Sequence, residues 1–339
     1  MIHLRVVAPK DVAHQALELL CASPSVINVV HLQGASRKPE GDVILCDITP
    51  EEASVMIGDL KELDIPRVGS IAVEHVDIAI SDAAVAAEKA SPGLPSDAVV
   101  WEEVQQRTSE DTELSFSFAI FMVIAMQIAA VGILYDQPIL VVGAMVVGPE
   151  FGPLAGLAVA LVHRKGELAR RSLTALAVGF PLGVLMTLAA VLIFKETGLG
   201  PESYTAEDHQ LTGFISNPDF FSFFVAFVAG IAGVISLTSA KSGALVGVLV
   251  SVTTIPAASN IAVAATYGDW DEARGAAAQL GINLTSIVLA GVITLFIQRR
   301  YYVARRRKHL SDPARSAAGL PVGHSVHPRH ERNRKEPIV

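Results

Sequence analysis

Residues 143–161 read GAMVVGPEFGPLAGLAVAL, an apolar stretch interrupted at Gly148-Pro149-Glu150 and again at Pro153. With its neighbours the stretch covers residues 138–162, long enough to cross about 30 Å of hydrocarbon as roughly 20 helical residues. The whole chain leans the same way. Of its 339 residues 51% are hydrophobic and 18% charged, and mean hydropathy is +0.46, well above an ordinary soluble domain. Aromatics are only 6%, so the apolar mass is Ala, Val, Leu, Ile and Gly, the composition of closely packed helices in lipid. Working outward predicts six spans, at 114–134, 138–162, 172–194, 219–239, 243–267 and 276–298. The expected fold is an α-helical polytopic membrane protein.

Charge divides the chain into three parts. Residues 1–113 carry a net -12, residues 114–298 a net -4 and residues 299–339 a net +8. Lys and Arg near span ends collect on the cytoplasmic side, whereas acidic residues carry little weight. The loop after the second span holds His163, Arg164, Lys165, Arg170 and Arg171, the loop after the fourth holds Lys241, and the sixth span runs into Arg299, Arg300 and Arg305-Arg306-Arg307-Lys308. The alternate loops are uncharged or acidic, at Tyr135-Asp136-Gln137, at Lys195 against Glu196, Glu202, Glu207 and Asp208, and at Asp269, Asp271 and Glu272 against Arg274. This pattern puts both termini in the cytoplasm. Met1–Ala8 reads as a strand rather than a basic segment followed by an apolar run, so no secretory signal peptide is expected.

Residues 1–80 have another rhythm. Ile2–Val7, Val26–Leu32, Val43–Ile48 and Gly69–Val76 read as strands, and Asp11–Cys21 as an amphipathic helix. Thr49-Pro50-Glu51-Glu52 has the cap, first-turn proline and acidic first turn of a second helix. The order βαββαβ predicts a ferredoxin-like cytoplasmic domain. Such domains bind small effectors or pair with copies of themselves, so a small-molecule effector and a homo-oligomer are expected, by analogy of fold. Gly34–Gly41 reads as an exposed polar loop, and Cys21 and Cys46 as small buried hydrophobes. Residues 81–113 form a linker with a connector helix. Ser91-Pro92-Gly93-Leu94-Pro95 breaks it, and Trp101 and Val104 lie either in the connector or at the membrane surface.

Comparing the chain with itself at an offset of 104 aligns Leu157-Ala158-Val159-Ala160 with Ile261-Ala262-Val263-Ala264, Gly143 with Gly247 and Phe116 with Phe220. Pro153 and Pro256 match within one gap. Each repeat, 114–194 and 219–298, then holds three spans with a proline in the middle one. Three is odd, so the second copy enters the membrane from the opposite side, the inverted plan of secondary transporters. The broken spans mark the expected pathway, with Gly148, Pro149, Glu150, Gly152 and Pro153 in the first repeat. Thr253, Thr254, Pro256, Ser259, Asn260 and Asn283 are their partners in the second. Glu150 is the one formal charge well inside a predicted span, where an isolated ionised carboxylate costs several kcal/mol or more. Proton coupling, cation coordination or a hydrogen-bonded boundary position would each account for it.

The stretches GAMVVGPEFGPLAGLAVAL and TTIPAASNIAVA resemble the bacterial domain-of-unknown-function 389 hydrophobic family, over roughly residues 110–265. The resemblance implies a multi-span bacterial inner-membrane protein and brings no activity with it. Family members carry an apolar residue after the first proline, and Glu150 departs from that pattern.

No nucleotide-binding, zincin, nucleophile-elbow or kinase motif occurs, so an enzyme is not expected, nor a cofactor, a metal site or a nucleic-acid partner. The basic cluster Arg305–Lys308 fits contact with anionic membrane lipids. The rest of the 299–339 tail, including His324, His327 and His330, is expected to be disordered. Two readings follow. One is a transporter or channel for an ion or small solute with a regulatory or oligomerising cytoplasmic domain. The other is a non-transporting membrane-anchored sensor or scaffold.

Overall fold

The computed structural model describes residues 1–76, 78–91, 98–204, 211–238 and 254–325. The chain divides into two compact units, Met1–Glu103 together with the chain from Gln298, and Val104–Ile297. The first opens with β1 (Ile2–Ala8), α1 (Lys10–Ala22), β2 (Val26–Arg37), β3 (Glu40–Ile48), α2 (Pro50–Glu62), the single turn α3 (Ile65–Val68) and β4 (Ser70–His75). The strands form one antiparallel sheet in the order β2-β3-β1-β4. Alternation along β1 sends Ile2, Leu4, Val6 and Ala8 to one face, where they pack with Ala16 and Leu20 of α1 and Met56 and Leu60 of α2. Gly69 lies where a Cβ would strike the backbone of Val7, so the close approach of β4 to β1 depends on glycine.

Three local expectations change. Residues 34–41 are not a free loop: Ser36 pairs with Gly41 and Arg37 with Glu40, so the polar stretch closes the β2–β3 hairpin. Cys21 is exposed, whereas Cys46 is buried in β3. Burial, with the Asp47 charge beside it, pushes the Cys46 thiol up to about 12. The linker forms α4 (Asp82–Ala90), capped by the Ser81 hydroxyl, and α5 (Trp101–Asp111). Trp101 is 3% exposed and packs edge-on against Tyr302 at 6.2 Å, so it is a core residue rather than a membrane-surface anchor. Residues 92–97 lie outside the described residues.

The second unit is helical. α6 (Phe116–Leu134) starts at Ser115, whose hydroxyl accepts the Phe118 N–H at 3.1 Å. α7 (Pro138–Val147) and α8 (Phe151–His163) follow, then α9 (Gly166–Glu196), α10 (Phe220–Thr238), α11 (Ile255–Tyr267) and α12 (Trp270–His309). Among the described residues four helices are long and apolar enough to cross a membrane, or five if α7 and α8, bent by 52° at their junction, count as one span. The expected span 243–267 is α11 from Ile255 onward. Its earlier part, with Gly243, Gly247 and Thr253, lies outside the described residues.

Helices recur along this unit. α10, α11 and α12 each begin 104 residues after α6, α8 and α9, and the first two pairs match in length, 19 and 13 residues. The stops match as well. α8 ends at Arg164 (φ 56°) and α11 at Gly268 (φ 81°), with Lys165 N–H on Ala160 O and Asp269 N–H on Ala264 O. One crossing is also repeated. Gly183 of α9 lies against Met126 of α6, and Gly230 of α10 against Ile287 of α12, with the small residue on opposite helices of the two pairs.

The basic tail is the largest correction. α12 does not stop at residue 298 but continues through Arg299–Lys308 to His309, and a last turn, α13 (Ala314–Ala317), follows. Arg315 is fully buried. These cations find carboxylates on α2. Asp59 accepts from Arg306 and Arg315 and lies 2.7 Å from His309 Nε2, while Glu62 takes Arg306 at 2.8 Å and Arg315 at 2.7 Å. The arginines expected at the lipid surface therefore tie residues 305–315 into the first unit, and His324 lies among the described residues. His327 and His330 lie outside the described residues.

Candidate functional site

α7 ends at Val147 because Pro149 forces Gly148 into an extended conformation (ψ 128°), which a continuing helix cannot accept. α8 restarts with Glu150 in its cap position and α11 with Thr254 in its own. The remaining prolines fall in the next turn. Pro153 is the third residue of α8 and Pro256 the second of α11, where a missing N–H removes no helical hydrogen bond. The sequence suggested prolines that interrupt the middle span of each repeat. In the structure they start helices, and the unpaired groups are the N–H groups of two first turns.

Those two helix starts meet. Glu150 is fully buried, and its Oε1 accepts a 2.5 Å hydrogen bond from the Thr254 hydroxyl, itself fully buried. Glu150 and Thr254 are 104 residues apart, so the contact joins corresponding positions of the recurring helices. The second carboxylate oxygen, Oε2, is buried with no hydrogen-bond partner among the described residues. Gly148 leaves room for it, since a Cβ there would strike the carboxylate and Ile255. Gly152 likewise lies against the backbone of Asp111, and Gly156 against Thr112 and Ser172. Small residues thus seat α8 tightly around the carboxylate.

The other expected site residues separate. Ser259 donates to Met126 O at 2.7 Å, joining α11 to α6. Asn283 accepts from Gln279 at 3.1 Å along α12. Asn260 belongs to a second polar cluster, where the Tyr204 hydroxyl lies 2.8 Å from both Asn260 Oδ1 and Glu272 Oε1 and Asn260 Nδ2 donates to the same Glu272 oxygen at 3.0 Å. Ser216 adds a donor at 3.3 Å. Burial, with Glu272 beside it, pushes the Tyr204 phenol well above its usual range, so it remains a donor. Tyr204 and Glu272 carry no sequence signal of this role. Tyr204 lies in the connection after α9 and Glu272 in the first turn of α12, and the partners of Tyr204 are 56 and 68 residues away.

Chemically, the Glu150 site offers one buried carboxylate, one hydroxyl and the N-terminal ends of two helices. Each helix N-terminus carries about half a positive charge and favours an anion beside it. Among the described residues no group of three or more His, Cys, Asp or Glu is placed to hold a metal ion.

These features define a multi-pass helical membrane protein with a small α/β unit and a buried carboxylate at a helix break. The family model described as Domain of unknown function (DUF389) matches residues 145–289. The match runs from Met145 in α7 to Leu289 in α12, so it contains Glu150, Thr254 and both polar clusters, and it bears out the resemblance carried by the GAMVVGPEFGP stretch. No curated protein and no solved structure matches the chain.

Proposed function

We propose that the chain is a six-span transporter of two inverted three-helix repeats in which Glu150 carries the proton that couples movement of an ion or small solute. The observation that carries this reading is the Glu150 carboxylate, fully buried at a broken helix with one oxygen that has no hydrogen-bond partner among the described residues. A buried carboxylate without a counter-cation is costly when ionised. Two helix N-termini at the same point offset part of that cost, by about 0.3–1 kcal/mol each and up to about 2 when partly buried. They also repel a metal ion. A proton suits the site better than a coordinated cation.

The recurrence of helices at 104 residues supports the repeat, and three crossings per copy imply inversion. The counterpart of α7 falls in residues outside the described part, where the first half of the fifth span is placed by the sequence alone. Contact between corresponding residues sets Glu150 and Thr254 beside the axis that relates the two copies. A group there is reached equally from either side when the copies exchange conformations. The element order and sheet order of the first unit are those of a ferredoxin-like domain, which the loop charges put in the cytoplasm.

Proton uptake into proteoliposomes under an imposed pH gradient tests the reading, with candidate solutes added in turn. The intact chain should acidify the lumen, and Glu150→Gln should reduce the rate about tenfold or more. Equal rates in the two would sink it. A second reading, a sensor or scaffold, is favoured by a cavity of about 370 Å³ in the first unit, lined by Arg305, Lys308 and His309 together with Glu52, Asp312 and four serines. Absence of flux for every solute, with thermal stabilisation of the full chain by a small zwitterion, would favour it.

A further inference from the structure

Away from Glu150, the unit Val104–Ile297 carries an apolar groove of about 750 Å³ between α8, α9 and α12. Leu157 and Leu161 of α8, Leu173 and Phe180 of α9, and Leu284 and Leu289 of α12 form its walls. Among the described residues Thr285 is the one polar residue lining it, and its hydroxyl already donates to Gly281 O at 2.8 Å. A polar solute therefore finds no partner there. Leu161, Leu173 and Leu289 are each about half exposed, at 54%, 52% and 46%, so the groove opens along its length on helices of membrane-span character.

One end of the groove is fixed by chain connectivity. Leu161 is in the last turn of α8 and Leu173 early in α9, so that end meets the turn between these helices. The turn and the start of α9 carry Arg164, Lys165, Arg170 and Arg171 against a single acid, Glu167. Arg170 and Arg171 share that glutamate, yet their side chains stay 74% and 48% exposed. An apolar channel at hydrocarbon depth thus ends at a surplus of exposed positive charge.

We propose that this groove is a site for one anionic phospholipid, with an acyl chain laid between α9 and α12 and the phosphate held by the Arg164–Arg171 basic turn. A flexible acyl chain fills an open apolar channel that water cannot occupy favourably. Basic pockets at the ends of membrane helices select anionic headgroups. Free phosphate makes no use of the groove, and a zwitterionic lipid leaves the excess cations unmatched.

The test uses the purified full chain in detergent with phosphatidylglycerol or phosphatidylcholine added. Phosphatidylglycerol should raise Tm more than phosphatidylcholine does, and native mass spectra should retain one molecule of it per chain. Leu157→Trp, which fills the groove, should abolish the retained lipid. Leu289→Trp at the rim serves the same purpose if the first variant does not fold. Replacing Arg164, Arg170 and Arg171 together by Gln should leave a bound lipid but erase the preference. Equal stabilisation of the intact chain by both lipids, undiminished lipid in a folded groove-filled variant, or a dimer mass in place of a lipid adduct would each overturn the proposal.

Discussion

Asp59 and Glu150 are both fully buried carboxylates, and the molecule treats them in opposite ways. Asp59, in the α/β unit, is surrounded by Arg306, Arg315 and His309. Among the described residues, Glu150 in the membrane unit has one neutral hydroxyl and an oxygen left over. Between these extremes stands Glu272, half-buried, which among the described residues meets no cation but takes hydroxyl and amide donors from Tyr204, Asn260 and Ser216. A carboxylate satisfied on every side holds a structure together and has little reason to change protonation. One left incomplete where helices break is, on the proposed reading, the group that gains and loses a proton. The proposal thus separates an architectural charge from a working one.

The largest expected effect tests the architectural side. Asp59→Ala leaves Arg315 buried beside lost charge and should destabilise the first unit by about 3–5 kcal/mol, read as a fall in Tm of the full chain. The same group sets an acid limit. Burial alone would push Asp59 up, but the hydrogen bond from His309 and the charges of Arg306, His309 and Arg315 outweigh it and hold the carboxyl below its usual value. Its contribution is complete above about pH 4, the ordinary carboxylate range, and fades as pH falls through the lowered value. Acidification should therefore lower Tm more steeply in the intact chain than in Asp59→Asn.

Glu150 should behave in the reverse sense. Glu150→Gln is expected to change stability by less than about 1 kcal/mol, or to raise it, while proton flux is lost. A Tm loss as large as that of Asp59→Ala would erase the distinction between the two groups. A sharper variant exchanges the corresponding positions. Glu150→Thr should stop flux, and Glu150→Thr combined with Thr254→Glu should restore most of it, because the carboxylate then returns to the same point from the other helix. Failure of the double variant to recover, while still folded, would show that the two positions are not equivalent.

The intermediate case gives a smaller effect. Tyr204→Phe removes the hydroxyl shared by Asn260 and Glu272 and should cost about 1–3 kcal/mol in thermal or denaturant unfolding, with no change in the pH dependence of flux. The smallest difference concerns the cysteines. A maleimide should label native protein once, at exposed Cys21, and twice after unfolding, because Cys46 is buried and its thiol stays protonated.

Much of this was legible along the chain. The long apolar runs, the break at Gly148-Pro149-Glu150, the strands and helices of residues 1–80 and the 104-residue offset are periodic or compositional signals, each written in neighbouring residues. The role of the tail was not. Arg305–Lys308 reads as lipid contact because a local window sees only the charges, and their partners on α2 lie about 250 residues earlier. The grouping of Asn260 with Tyr204 and Glu272 was hidden for the same reason.

Amino-acid sequence by itself determined which segments are apolar enough to leave water, where prolines interrupt them, and that a carboxylate sits inside one such segment. Hydrophobicity and backbone restriction act locally, so they can be read locally. Tertiary structure alone decided which buried charges are answered. Whether a carboxylate meets an arginine or only a threonine depends on which distant helix is packed against it, and that choice makes Asp59 a clamp and leaves Glu150 incomplete.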